Sequence, residues 1–229
     1  MAYDFCLWRG AKYPMAFLHG WSGTLVRDEF KDYESVLKLE GRTVAGCLAH
    51  ARRKFDELVK VNQSPVATQA VQRIAWLYRI ERDALELPEE EERLAMRQVR
   101  SKPLWEELHV WLRLERGRVP EGSVIAGAIN YSLNARAALT VNLQNGNVQI
   151  YNNHIENLMR PWAMGRKAWL FAGSELAGQR AAVVMSLVQS AKLNGRDPWA
   201  YLKEVLTRLP THMNSRIDEL LPHRWQAWL

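Results

Sequence analysis

The chain has 229 residues, 48% of them hydrophobic and ten of them tryptophan, so it can bury a substantial core as one large domain or one domain with an insertion. A charged fraction of 24% excludes the profile of a disordered chain, and a net charge of +6 agrees with a polyanionic partner without demanding one. The two cysteines, Cys6 and Cys47, cannot build a disulfide framework or a metal knuckle and read as small buried thiols in a reducing cytoplasm.

MAYDFCLWRGAKYP lacks the apolar core of a signal peptide, and no 18-residue apolar run occurs, which predicts a soluble protein. The first 50 residues alternate short apolar runs with Gly, Asp and Lys, and read as strands and connections. MAFL is one such run. GTLVRDEF (23–30) predicts a strand that ends at Asp28, and TVAGC a second strand running into a helix at AHARRKFDELVK. From about 57 to 140 the pattern is helical. Val71, Ile74, Leu77 and Tyr78 recur at helical spacing, and PEEEER (88–93) reads as the solvated first turn of a helix. Leu104, Leu108, Trp111 and Leu112 mark another helix with Pro103 near its start. GRVPEGS (117–123) is a loop, after which SVIAGAINYSLNARAAL resumes a helix.

LQNGNVQI (143–150) predicts an Asn-Gly turn and a short extended segment, after which Asn152 or Asn153 caps a helix. Ile155, Leu158, Met159 and Trp162 form the expected buried stripe of that helix, which Pro161 should kink or shorten. A long helix near 175–194 closes at Gly195, and NGRDPWAYLKEVL opens the last one with Asp197 at the cap and Pro198 at the first helical position.

Glu156 is the residue on which a functional reading turns. It shares a helix face with Arg160, Ala163 and Lys167. On spacing alone, an ordinary Glu-to-Arg helix pair accounts for it, worth a few tenths of a kcal/mol. The other reading is a carboxylate that holds a hard divalent cation while Arg160, Arg166 and Lys167 grip phosphates. Mg²⁺ prefers one or two carboxylates with water and phosphate oxygens, so Glu156 needs a partner, and Asp28 at a strand end is the natural one. Arg52, Arg53 and Lys54 stand on the first turns of a helix, where cations oppose its dipole, and read either as phosphate contacts or as a solvated face. His50 is a candidate active-site residue or a structural histidine, and Asn153 is a further candidate beside Glu156. His154 and Glu156 point to different faces and do not read as a zinc pair. Trp162, Trp169 and Phe171 read as core residues in preference to base-stacking ones.

The stretch NNHIENLMRPWAMGRKAWLFAGSELAGQRAAVVMSLVQSAKLNGRDPWAYLKEVLTRLP resembles the C-terminal half of insertion sequence 66 family transposases. The tail RIDELLPHRW (216–225), GCLAHARRKFDEL (46–58) and GTLVRDEFKDY (23–33) resemble the same family in order and spacing, so the similarity covers nearly the whole chain. The resemblance implies an α/β fold: a truncated ribonuclease-H-like domain with a helical insertion and a helical C-terminal extension. It also implies an Asp-Asp-Glu metal triad, of which Asp28 matches the second aspartate and Glu156 the glutamate. On this basis residues 1–56 hold partial ribonuclease-H-like strands and the first helix, 57–145 the insertion, 146–174 the glutamate helix and following segment, and 175–229 the extension. The family would use Mg²⁺ or Mn²⁺ to cleave and transfer DNA strands, with transposon ends and target DNA as partners.

Two departures from the family pattern shape the expectation. The family's first aspartate lies in an Asp-Glu-Thr motif that does not occur in this chain, and Asp4, on what reads as a third strand at MAYDF, does not match it. Tyr151 stands where relatives commonly have Asp. The sequence therefore predicts a truncated transposase, weak or inactive alone, in the bacterial cytoplasm at the nucleoid. It would pair with itself or with a full-length copy. The alternative is a remnant that binds DNA or a partner without chemistry.

Overall fold

The computed structural model describes residues 1–8, 10–27, 41–169 and 172–227, with the side chains of Asn62, Arg166, Lys167 and Trp169 outside that description. The chain forms two compact units, one of residues Leu18–Glu156 and one of Met1–Phe17 with Asn157–Leu229. It is mostly helical, with a two-stranded sheet among the described residues.

In the Leu18–Glu156 unit, β1 (Gly23–Arg27) and β2 (Arg42–Gly46) pair in parallel, from Gly23 opposite Arg42 to Arg27 opposite Gly46. Parallel neighbours require a crossover of a dozen or more residues, and positions 28–41 supply fourteen. Both strands fall where the apolar runs predict them. Helix α2 (Leu48–Asn62) follows β2 after the single residue Cys47. Gln63, in the left-handed region with φ of 48°, ends α2, and Ser64 caps α3 (Pro65–Leu85) by accepting a hydrogen bond from the Ala67 amide. The predicted apolar positions of α3 are realised: Ile74 and Leu77 are buried, with Val71 and Tyr78 packed against the same core. Glu90, Glu91 and Glu92 occupy the first turn of α4 (Glu90–Met96), where the helix dipole favours them. A π turn, Arg97–Ser101, joins α4 to α5 (Lys102–Arg116). Ser123 caps α6 (Val124–Asn134), and a short α7 (Arg136–Leu139) follows. Phe55, Ile74, Leu77, Trp105, Leu108 and Ile129 lie at the heart of the shared core.

Buried polar groups tie the segment ahead of Glu156 to this core. Arg97 and Glu81 are both fully buried and form a bidentate pair, Nε to Oε2 and Nη2 to Oε1, each at 2.9 Å. Arg97 Nη1 also donates to the Gly146 carbonyl at 2.9 Å and the Asn145 carbonyl at 3.3 Å. Glu81 Oε1 accepts from the Ile150 amide at 3.4 Å, and the Ile150 carbonyl accepts from the Leu48 amide at 2.7 Å. The Asn-Gly turn is present at 145–147, but residues 148–150 form no strand among the described residues. These backbone groups bond to Arg97, Glu81 and α2 in place of a ladder partner.

The other unit contains α1 (Lys12–Phe17), α9 (Glu175–Leu193) and α10 (Pro198–Arg208), and most of α8 (Asn153–Trp169), within which the division between units falls. MAFL, expected as extended, lies within or next to α1. MAYDF is not the expected third strand: the Tyr3 amide donates to Ser186 Oγ at 2.8 Å and the amino terminus to Ser190 Oγ at 3.0 Å, so side chains of α9 take these groups. Gly195, with φ of 66°, closes α9, and Asp197 caps α10 through the Ala200 amide at 2.7 Å. Tyr201, Val205, Leu220 and Trp225 form a small core in which Tyr201 donates to the Leu220 carbonyl. Helix α8 continues through Pro161. Its expected buried stripe is only half realised: Leu158 and Trp162 are half-buried, whereas Ile155 and Met159 are exposed. No described helix is long and apolar enough to cross a membrane.

Candidate metal centre

The sheet register sets up the centre. Arg27, the residue before Asp28 in sequence, is paired with Gly46, the residue before Cys47. Cys47 is buried and extended, and it hands the chain into α2. His50 lies three residues on, in the first turn of α2. Glu156 lies in the first turn of α8. The folded chain brings Cys47, His50 and Glu156 together, with one potential donor atom from each inside a sphere of mutual distances below 4.8 Å.

His50 Nε2 stands 3.4 Å from Glu156 Oε1, with the imidazole 19% and the carboxylate 39% exposed. The site thus opens to solvent on the side of the glutamate. His50 Nδ1 is buried and has no hydrogen-bond partner among the described residues, so the Glu156 contact is the polar interaction that orients the ring. Cys47 Sγ donates to Asn152 Oδ1 at 2.9 Å, which fixes the residue four positions ahead of Glu156. Tyr78, close to Cys47 and Glu156, stacks on Tyr151 with centroids 5.5 Å apart and planes 10° from parallel. Burial pushes the Tyr78 phenol well above its ordinary value, and the nearby Cys47 and Glu156 charges act in the same direction. Burial likewise raises Tyr151, with Glu81 adding to it. Both phenols are therefore held in the neutral form.

Comparison with known proteins gives the lineage of the chain. Residues 1–180 match the family described as Transposase IS66 family, and residues 186–223 match the IS66 C-terminal element. The chain belongs to the IS66 transposase family. It is 37% identical over 234 aligned positions to the uncharacterized protein y4hP of Sinorhizobium fredii, covering 95% of this chain and 42% of that protein. It is 34% identical to the uncharacterized protein y4jD of the same organism, covering 99% of this chain and 46% of that one. The chain thus spans less than half the length of these relatives. No solved structure matched it.

The other candidate residues lie elsewhere in the chain. Asp28 lies outside the described residues. Arg52 is half-buried; the Lys60 hydrogen bond holds Asp56 below its ordinary value with Arg52 adding to it, and Arg52 partly opposes the rise at Tyr78. Arg53 is exposed. Lys54 sets its Nζ 4.4 Å from the centre of the Tyr131 ring, an internal cation–π contact. Asn153 and Arg160 are exposed on α8, and the backbones of Arg166 and Lys167 lie within the same helix. Asp4 accepts a weak contact from Cys6 Sγ at 3.8 Å and belongs to the other compact unit. A surface groove of about 580 Å³ lined by Gln69, Arg73, Trp76 and Glu107 contains none of these residues.

Sequence reasoning placed His50 and Glu156 among the candidates but left Cys47 out. The available signal was the Cys-x-x-His spacing at 47 and 50, which puts both side chains at the start of one helix. Asn152 or Asn153 is the expected cap, and the Asn152 side-chain oxygen accepts from the Cys47 thiol. Nothing in the sequence marked Glu81 and Arg97 as the buried support of the loop that carries Asn152.

Proposed function

We propose that this chain carries the glutamate portion of a metal-dependent DNA strand cleavage and transfer centre of the IS66 type, with Asp28 and Glu156 as the metal carboxylates. The observation that supports it is the first-turn Glu156, drawn to the β2–α2 junction whose neighbouring strand ends one residue before Asp28. In this reading the ribonuclease-H-like sheet includes β1 and β2, residues 57–145 are the helical insertion, and residues 175–229 are the extension. DNA is the partner, and the cytoplasm at the nucleoid the place of action.

A half-exposed carboxylate fits Mg²⁺ or Mn²⁺, which keep several waters and take one or two carboxylates besides substrate phosphate oxygens. Bound there, such ions supply activation of an attacking water or 3′-hydroxyl and stabilisation of the leaving oxygen. The chain's own residues do the rest. His50 Nε2 orients Glu156 and can hold a proton at 3.4 Å from it. Arg160, Arg166 and Lys167 follow Glu156 along α8 and contact the DNA backbone. Arg52 and Arg53 add cations from α2. The stacked, half-buried Tyr78 and Tyr151 rings lie near Cys47 and Glu156.

Incubated with end-labelled duplex and Mn²⁺, the chain is expected to give slow strand breaks that require the metal. Binding without breaks in either Mg²⁺ or Mn²⁺ would favour the non-catalytic alternative over this reading. Arg160→Ala is expected to weaken duplex binding uniformly across sequences and to lower the slope of log affinity against log salt by about 1. A fluorescence-anisotropy salt series measures it. An unchanged slope and affinity would remove Arg160 from the DNA contact.

A further inference from the structure

Cys47, His50 and Glu156 are an unusual donor set for a hard cation. Mg²⁺ selects oxygen, whereas thiolate and imidazole suit zinc and other borderline metals. Their geometry suits zinc as well. Four ligands at zinc's bond lengths of about 2.0–2.3 Å lie about 3.3–3.8 Å from one another in a tetrahedron. His50 Nε2 and Glu156 Oε1 are 3.4 Å apart, and the three donor atoms all lie within 4.8 Å. The residues come from the starts of two helices, α2 and α8.

We propose that Cys47 Sγ, His50 Nε2 and the Glu156 carboxylate form a zinc(II) site with its fourth position open to solvent. The partly exposed Glu156 marks the open side, while buried Cys47 forms the floor. Binding releases the thiol proton to solvent as the sulfur–metal bond forms. The thiol then no longer donates to Asn152, and a turn of the Asn152 amide presents its NH₂ to the thiolate, the outer-shell support that such ligands need. Since zinc takes the same Glu156 carboxylate as the hard cation of the proposed function, the two metals exclude one another. Zinc is therefore an inhibitor of any Mg²⁺- or Mn²⁺-dependent step. The zinc site itself rests on the geometry alone; only this consequence rests on the functional reading.

The test is zinc affinity of the full chain by chelator competition, with X-ray absorption of the zinc-loaded chain as a readout that needs no variant. Expected are one sulfur in the zinc coordination shell and an affinity that falls about tenfold or more in Cys47→Ser and in His50→Gln, with Cys6→Ser unchanged. Zinc with only oxygen and nitrogen neighbours, or an affinity unchanged by Cys47→Ser, would overturn the proposal. So would a sulfur signal lost only in Cys6→Ser. Asp28 belongs to the hard-cation reading alone and Cys47 to this one alone. Unchanged Mn²⁺ affinity in Asp28→Asn therefore counts against the former, and unchanged Zn²⁺ affinity in Cys47→Ser against the latter.

Discussion

Replacing Arg97 with methionine is expected to destabilise the Leu18–Glu156 unit by about 3–5 kcal/mol at neutral pH, the usual cost of removing one member of a buried ion pair. The substitution strands the Glu81 carboxylate, fully buried and otherwise hydrogen-bonded only to the Ile150 amide among the described residues. It also takes a donor from the Gly146 and Asn145 carbonyls. In the native chain burial pushes the Glu81 carboxyl up while Arg97 pulls it down. In Arg97→Met burial acts without that opposition, so the folded-state value rises further above the unfolded one. Below the ordinary glutamate range both states carry the proton and the penalty disappears. As pH rises above that range the folded state must either keep a proton the solvent would take or bury a charge, and stability falls. The deficit of the variant should therefore shrink as pH is lowered from about 7 to about 4. Glu81→Gln in the Arg97→Met background should recover part of the loss at neutral pH, because a neutral amide costs less to bury and can still accept from Ile150. Urea unfolding across pH measures all three chains, and a pH-independent deficit would contradict the mechanism.

Glu156→Gln is expected to lower Mn²⁺-dependent strand cleavage by more than the roughly 10–100-fold that loss of an outer-shell partner costs. The amide has nearly the carboxylate's shape but no charge, so the helix and the packing of α8 are preserved while the metal loses an anionic ligand. Duplex affinity measured without metal should hold or rise slightly, since a negative charge is removed from the proposed DNA-contacting surface. That separation of cleavage from binding marks a metal ligand. A parallel fall of both would mark Glu156 as a structural residue whose partner is His50.

The sequence carried the local structure well where one physical signal dominated. Asp197–Pro198 and the Glu90–Glu92 turn formed helix starts because capping and dipole act within a few residues. The strands at 23–27 and 42–46 fall on short apolar runs, whereas their parallel pairing is non-local and neither run encodes it. Periodicity misled at α8, where Ile155 and Met159 have helical spacing yet are exposed. MAYDF misled for a different reason: extended backbone can be satisfied by serine hydroxyls on a helix as well as by a sheet. The family resemblance supplied Glu156 and Asp28, which spacing alone left as an ordinary helix pair and a strand end. His50 as the partner of Glu156 was not legible, because residues 106 positions apart are brought together by the Ile150–Leu48 and Cys47–Asn152 bonds and the Glu81–Arg97 pair.

The central claim is that Asp28 and Glu156 hold one hard-cation centre, and Mn²⁺ binding followed by electron paramagnetic resonance tests it most directly. Titrations of the native chain, Asp28→Asn and Glu156→Gln should show saturable binding in the first and an affinity about tenfold or more lower in each variant, with unchanged circular dichroism. Equal Mn²⁺ affinity in all three chains would contradict the account.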